Sequence, residues 1–211
     1  MRLYTYFRSS AAYRVRIALG WKGIAYEPAF VHLVRGGGAQ HKPDYAALNP
    51  MRLVPALVTD EGAVLTQSLA ILEWLEETHP APALLPAQPV ARAHVRAFAA
   101  TIACDIHPID NLRVLQYLKR EIGQPQEAID TWYRHWIGVA LPALEAMAGD
   151  GPFCFGPAPT LADVCLVPQL FNARRYNCAL DAFPRLLRAE AACQALPAFQ
   201  EAAPAAQPDA E

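Results

Sequence analysis

Four short clusters in this 211-residue chain carry side chains whose types and spacing could do chemistry. The first is Phe7-Arg8-Ser9-Ser10-Ala11-Ala12. A turn from strand into helix offers free N–H groups and the positive end of a helix dipole, which together hold an anion. A serine hydroxyl placed there can donate a hydrogen bond to a bound thiolate and lower its pKa. Ser9-Ser10-Ala11-Ala12 lacks the Cys-x-x-Cys of a dithiol site, so that redox chemistry is excluded here. Simple helix capping by Ser9 or Ser10 stays open on these residues alone. The second cluster is Val54-Pro55. Proline cannot donate to a strand ladder. A cis bond would turn the backbone N–H and C=O of Val54 outward, where an extended peptide could pair with them as with a sheet edge. A trans proline on an edge strand is the plainer alternative. The third is Thr66-Gln67-Ser68, where Ser68 is expected to cap a helix whose N-terminus could take a carboxylate. The fourth is Cys104-Asp105-Ile106-His107-Pro108-Ile109-Asp110-Asn111-Leu112-Arg113. His107 and Asn111 are four apart and share a face of an ideal helix, whereas Arg113 does not. Pro108 should kink that helix.

The elements that must position these groups can be read from pattern. Residues 2–7 are rich in β-formers and short, which predicts a strand. Residues 11–19 predict a helix closed by Gly20 and Gly23, and residues 26–33 a second strand. Residues 53–58 form a third strand interrupted by Pro55. Asp60-Glu61-Gly62 predicts a tight turn, with residues 63–65 returning as the hairpin partner. Residues 68–78 read as amphipathic helix, with Leu69, Leu72 and Leu75 on one side. Four prolines then fall within residues 79–89 and mark a boundary. Beyond it the strand signals stop, and residues 90–120, 125–148, 161–175 and part of 184–199 read as helix. Residues 202–211 have too little apolar bulk to pack and are expected to be loose. The order β-α-β-(helix)-β-β-α predicts a small mixed sheet flanked by helices, followed by an all-α part. Residues 1–80 form the first domain, 81–89 the linker and 90–211 the helical domain.

Composition narrows the function classes. The formal net charge of −2, from 18 Lys+Arg against 20 Asp+Glu, leaves no whole-chain basic footprint for nucleic acid. No run approaches the roughly 18 apolar residues of a membrane span, and the first residues hold no apolar run of signal-peptide length. Five cysteines, with no Cys-x-x-Cys pair, argue against a disulfide framework or a structural zinc site. They are expected to be reduced and mostly buried, in a cytoplasmic protein with no metal.

Taken together, the clusters carry a resemblance. Arg8-Ser9-Ser10-x-x-x-Arg14-Val15-Arg16-Ile17-Ala18-Leu19, Ala47-Leu48-Asn49-Pro50-x-x-x-Val54-Pro55, Gln67-Ser68-Leu69-Ala70-Ile71 and Pro159-Thr160-Leu161-Ala162-Asp163 resemble the zeta class of glutathione transferases over nearly the whole chain. The Val-Pro and Gln-Ser pairs are shared by many transferase classes. The Ser-Ser…Arg-Val-Arg stretch singles out zeta. The resemblance implies an α/β thioredoxin-like first domain and an all-α second one, with the active cleft between them, in a homodimer. It implies that Ser9 polarises the glutathione thiol, supported by Ser10 and the following turn of Ala11, Ala12, Tyr13 and Arg14. Val54 would pair with the cysteinyl backbone beside a cis Pro55, Gln67 and Ser68 would hold the γ-glutamyl end, and Gln40 would reach the glycine end. One departure stands out: the family usually has Cys where this chain has Ala11, which bears on transferase and dehalogenase side activities. Other transferase classes use a tyrosine near the end of the first strand, so Tyr4 and Tyr6 compete with Ser9, although packing is the favoured role for Tyr6. Thr160 and Asp163 resemble the structural capping box of the family's helical core.

By the same resemblance, His107, Asn111, Leu112 and Arg113 line the glutathione and substrate site, and Arg175 rather than Arg174 borders it. Arg8, Arg113 and Arg175 are candidate anchors for a dicarboxylate, since arginine pairs a carboxylate bidentately. The implied activity is glutathione-dependent cis-trans isomerisation of maleylacetoacetate to fumarylacetoacetate, in tyrosine and phenylalanine catabolism. Thiolate addition, bond rotation and elimination would regenerate the cofactor. Maleylpyruvate isomerisation in gentisate catabolism is the alternative, and the motifs do not separate the two. A general glutathione transferase comes third. A non-catalytic interaction protein comes last, because a structural copy has no need for Ser9, Pro55, Gln67 and Ser68 together.

Overall fold

The computed structural model describes residues 1–211 and divides them into two compact units, Met1–Ala83 with Gln194–Glu211, and Leu84–Cys193. No helix is long and apolar enough to cross a membrane.

The first unit is built on a four-stranded sheet in the order β2-β1-β3-β4, from β1 (Arg2–Thr5), β2 (Glu27–Phe30), β3 (Ala56–Val58) and β4 (Val64–Thr66). β1 pairs parallel with β2, with Leu3 opposite Pro28, and antiparallel with β3, with Leu3 opposite Leu57. β3 and β4 form the expected hairpin, with Leu57 opposite Leu65. The parallel pair needs a crossover, which α1 (Ser10–Trp21) supplies. α2 (Pro43–Leu48) precedes β3, and α3 (Ser68–Thr78) follows β4. Leu3, Val15, Ile17, Leu19, Leu57, Ile71, Leu72 and Leu75 are fully buried and form the core. Ile71 takes the core position expected of Leu69, which is only half-buried.

β1 stops two residues before the expected end. Tyr6 and Phe7 leave the ladder because other groups claim their backbone: Arg16 donates to both carbonyls and Asp209 accepts the Phe7 N–H. β3 likewise starts only at Ala56, since Pro55 has no N–H to give.

Two expectations are corrected here. Residues 202–211 are not loose, and residues 194–211 do not belong with the helical domain. A short helix, Pro197–Ala202, packs against α1, and Phe199, Ala202 and Pro204 are buried. The apolar bulk that the last ten residues lack is replaced by polar anchors, described below. At the far end of α1, the buried Lys22 ammonium pairs with Glu76 at 2.8 Å and donates to the carbonyls of His79 and Pro82. A buried charge satisfied in this way fixes where α3 ends and the proline-rich segment begins.

The second unit is helical: α4 (Pro89–Ala100), α5 (Leu112–Arg120), α6 (Gln126–Met147), α7 (Leu161–Arg175) and α8 (Pro184–Gln194), the last reaching one residue past the unit; the Pro197–Ala202 helix is α9. α7 is the hub, buried without a break over residues 161–170. Thr160 and Asp163 form the capping box: the Asp163 carboxylate accepts the Thr160 N–H and hydroxyl, both at 3.0 Å or less, and also the Cys154 N–H at 2.8 Å. Leu84 and Leu85, inside the expected linker, are buried, and the Leu84 carbonyl accepts the Leu161 N–H, so half of that segment is part of this core.

Candidate active site

In the first unit, three chain segments meet at the C-terminal edge of β1. Residues 6–9 turn the chain from β1 into α1, with the Ser9 N–H donating to the Tyr6 carbonyl at 3.0 Å. Ser9 is the N-cap of α1, and its Oγ accepts the Ala12 N–H at 3.2 Å. Capping and thiol activation are therefore compatible. A hydroxyl that accepts through a lone pair still has its proton to donate. Ser9 is half-buried, whereas Ser10 is buried as the first helical residue.

The rest of that helical turn faces inward. Ala12 has no exposed surface, and Tyr13 is buried with its hydroxyl donating to the Phe199 carbonyl at 3.3 Å. Arg14 is buried and donates to the Ser68 hydroxyl at 3.2 Å. Ala11 is buried too, so the position where the resemblance expects a thiol faces the interior. These residues turn inward because α1 lies between α3 and α9 and has almost no free face.

The Arg14 bond also corrects the reading of Ser68. Ser68 is the first helical residue of α3 and not its cap; the cap position is Gln67. A buried guanidinium needs an acceptor, and it takes the serine hydroxyl. Gln67 is exposed at φ +67°, a left-handed conformation uncommon for a residue with a Cβ. Such outliers concentrate at functional sites. The Arg14–Ser68 bond ties the first turns of α1 and α3 together.

Val54 supplies the third segment. The Val54-Pro55 bond is cis. Neither backbone group of Val54 takes part in a hydrogen bond within the chain, and β3 pairing begins beyond it. The preceding Leu53 carbonyl is pinned by the Tyr45 hydroxyl at 2.6 Å and the Asn49 amide at 2.7 Å. The Val54 side chain packs with Tyr6, Phe7, Val31 and Tyr45. Tyr6 is thus a core residue, as favoured from sequence. Its ring meets Phe7 and His32 edge-on, its hydroxyl accepts from Arg8 at 3.2 Å, and burial pushes its pKa up. Arg8 is half-buried over the Tyr6 and Phe7 rings.

Gln40 does not present itself as expected. Its amide is buried, with Nε2 donating to the Leu33 carbonyl at 3.1 Å and Oε1 left without a partner. It lies against Gly38, where a Cβ would come within 2.5 Å of the amide. The side chain shapes its own loop.

In the second unit, the expected kinked helix is two helices. α4 runs into a π-helical turn (Thr101–Ile106), the chain breaks at residues 107–111, and Asn111 caps α5 by accepting the Arg113 N–H at 3.1 Å. Pro108 sits in the break rather than inside a helix. His107 and Asn111 still meet, with Nε2 and Nδ2 at 3.4 Å, because the break brings the cap back over the π turn. The Ile109 carbonyl accepts from the Trp132 indole at 3.0 Å. Leu112 is half-buried and Arg113 exposed. Arg174 forms a two-pronged pair with Glu190, whereas Arg175 is exposed, donates to Asn172 at 3.2 Å and lies over the Tyr176 ring. Arg174 is exposed as well, and the two differ in that its guanidinium is committed to a carboxylate. Tyr176 in turn stacks on the buried Tyr133, with centroids 3.5 Å apart and planes 9° from parallel.

The chain matches the family models described as the glutathione S-transferase N-terminal domain, over residues 8–78, and C-terminal domain, over residues 139–192. It is 52% identical to a maleylacetoacetate isomerase of Pseudomonas aeruginosa, covering 99% of this chain and 98% of that one. A solved holo structure of a maleylpyruvate isomerase, described as a bacterial glutathione S-transferase in the zeta class, superposes with a TM-score of 0.96 at 47% identity and covers both chains fully. A maleylacetoacetate isomerase from Methylobacterium extorquens AM1, solved with malonate and glutathione bound, superposes at 0.95 with 42% identity, again over both full chains. The chain belongs to the zeta-class glutathione transferases.

Within this zeta-class chain, two residues escaped the sequence reading. Asp110 stands inside the polar run but was given no role. It is 6% exposed, neither carboxylate oxygen has a hydrogen-bond partner, and burial pushes its pKa up to about 8. Its signal was the polar residue in an apolar helix. Asp209 had no signal, since only the fold brings it to Phe7. None of the five cysteines forms a disulfide, and burial pushes the thiols of Cys154, Cys178 and Cys193 up, away from thiolate chemistry.

Proposed function

We propose that this transferase is a glutathione-dependent cis-trans isomerase that converts maleylacetoacetate to fumarylacetoacetate. The observation that carries the reading is the packing of the turn before Ser9 on Val54. A capping serine with a proton to donate follows Tyr6 and Phe7, which pack with Val54, and the backbone groups of Val54 ahead of β3 are left unused by the chain. A tripeptide thiol fits that pair: Val54 offers a donor and an acceptor to a peptide backbone, and the Ser9 hydroxyl reaches for a sulfur. Glutathione, when bound, supplies a thiol nucleophile that is regenerated at the end of each turnover.

The protein's residues do the rest. Ser9 holds the thiol in its charged form at neutral pH. Gln67 and the N-terminus of α3 take the γ-glutamyl carboxylate, the dipole of an 11-residue helix favouring negative charge there. Ser10 supports Ser9, and His107, Asn111, Leu112 and Arg113 contribute contacts from the second unit. Arg8, Arg113 and Arg175 are the groups that hold the two carboxylates of the substrate. The bound malonate of the Methylobacterium relative, a dicarboxylate, supports that assignment. The glutathione-binding part is the unit Met1–Ala83 with Gln194–Glu211, and the substrate-binding part is Leu84–Cys193. A cytoplasmic homodimer completes the reading, the cysteines without disulfides supporting a reducing compartment.

Maleylpyruvate is the second substrate, favoured by the likeness to the zeta-class maleylpyruvate isomerase. The test is turnover of each cis substrate with glutathione, followed by ultraviolet absorbance. Turnover of maleylacetoacetate is expected to exceed that of maleylpyruvate. Measured glutathione binding with no turnover of either would overturn the isomerase reading. Light scattering in solution at twice the chain mass checks the dimer.

A further inference from the structure

We propose that Asp209 is a positioning residue for this reaction, holding Ser9 in place through the backbone amide of Phe7. The inference rests on the reading of Ser9 as the thiol-activating group.

The Asp209 Oδ2 accepts the Phe7 N–H at 3.0 Å, across 202 positions of sequence. Phe7 lies two residues before Ser9, inside the turn closed by the Ser9 N–H on the Tyr6 carbonyl, so the position of Phe7 sets that of Ser9. The opposite edge of the same turn belongs to Arg16. Its guanidinium donates to the Phe7 carbonyl at 2.9 Å, the Tyr6 carbonyl at 3.3 Å and the Thr5 hydroxyl at 2.9 Å, and its Nε donates to the Ala202 carbonyl at 3.0 Å. Both backbone groups of Phe7 are therefore gripped by ionic side chains, one from α1 and one from the C-terminal segment. The strand end would otherwise leave an unpaired N–H at its last turn.

The segment that carries Asp209 is itself anchored on either side. Upstream, α9 packs on α1, with Gly20 lying against Ala198. Downstream, the Glu211 carboxylate pairs with His32 at 2.6 Å and Arg35 at 2.8 Å. Burial draws the Arg16 pKa down to about 10, and the charge of Asp209 works against that shift, so the two grips support each other. A displacement of about 1 Å at a reacting group can cost on the order of a hundredfold in rate.

A purely structural anchor would change stability alone. A positioning residue changes the thiol, and the sign separates position from field. Loss of a nearby negative charge by itself lowers the pKa of a bound thiol. Loss of the Ser9 hydrogen bond raises it. The experiment uses the full chain as Asp209→Ala, Asp209→Leu, Asp209→Asn and Ser9→Ala. Thiolate absorbance of bound glutathione is titrated against pH, with kcat and both KM values and with amide exchange at Phe7. Asp209→Ala and Asp209→Leu are expected to raise the thiol midpoint by about half a unit, to lower kcat about tenfold and to lose Phe7 protection, with the substrate KM unchanged. Asp209→Asn keeps an oxygen acceptor and should recover most of kcat, with a midpoint at or below that of the unaltered protein. An unshifted midpoint and kcat in whichever of the Ala and Leu variants folds overturns the proposal. So does an Asn variant as impaired as Ala. If Ser9→Ala itself leaves the midpoint unmoved, the Ser9 reading falls and this one with it. A shift in Ser9→Ala without one in Asp209→Ala sinks the Asp209 role alone.

Discussion

Two loops of this transferase follow an element that ends early, and they are finished in opposite ways. Residues 6–9, after β1, have their polar backbone edges taken by Arg16, Asp209 and the loop's own turn, and Ser9 caps the next helix. Residues 107–111, after the π turn, are held by backbone bonds from His107 and Asp110 to that turn, an indole bond and the Asn111 cap, and they bury a carboxylate with no hydrogen-bond partner. The first loop has both backbone groups of Phe7 held by the chain itself, which suits the repeated binding of one cofactor at fixed geometry. The second keeps polar groups that the protein does not satisfy, which suits a surface whose ligand completes it. On the proposed function, cofactor recognition is written in backbone geometry and substrate recognition in side chains.

The largest expected effect breaks the first loop. Ser9→Ala should lower kcat by about a hundredfold or more, in line with loss of a donor to a developing or stabilised anion. Tyr6→Phe should change it less than threefold, because the Tyr6 hydroxyl serves Arg8. Steady-state rates on the two variants check both. The reverse ordering would mean that the tyrosine activates the thiol. Next, Arg113→Ala and Arg175→Ala should each raise the KM for the dicarboxylate about tenfold or more, a charge-assisted hydrogen bond being worth roughly 1.5–3 kcal/mol. The titration of bound glutathione should stay where it was. A moved thiol midpoint in either variant would erase the division between cofactor loop and substrate side chains.

Asp110 sharpens the same contrast through stability. A free aspartate titrates near 3.9, whereas burial raises this one to about 8. Between those values the folded protein holds a proton that the unfolded chain has released. Its contribution is therefore fully present below about pH 4 and is lost as pH rises through 8. Asp110→Asn cannot ionise, so its melting temperature should exceed that of the unaltered protein by a margin that grows from pH 5 to pH 9. Calorimetry across that range checks it, and a constant difference would place a partner on the carboxylate. The smallest effect belongs to Gly38→Ala. With φ at +96° and the Gln40 amide in the way, it should cost about 1 kcal/mol by denaturant unfolding and leave kcat within twofold.

Much of this was legible in local pattern. α3 and α7 begin and end where their periodicity places them, and Ser9 caps α1 as a serine before an apolar run should. Local rules failed wherever a distant charge decided. Ser68 reads as a cap until Arg14, 54 residues away, claims its hydroxyl and shifts the cap to Gln67. Residues 202–211 read as loose because hydrophobic bulk is the usual reason to pack, yet hydrogen bonds to Arg16 and Phe7 hold them. Pro108 reads as a kink, and the π turn ahead of it ends the helix first. The Arg14-Val15-Arg16 run that singled out the class turns out to be internal wiring: both arginines are buried and stitch the first unit together.

The Tyr133–Tyr176 stack has an optical consequence. Two phenol chromophores 3.5 Å apart, nearly parallel and one of them buried, couple their transitions and give a circular dichroism signal near 280 nm that neither would give alone. Both rings belong to Leu84–Cys193. The chain thus contains a native reporter for that unit, and comparing its loss on heating with the loss of far-ultraviolet signal shows whether the two units melt as one cooperative body or in sequence.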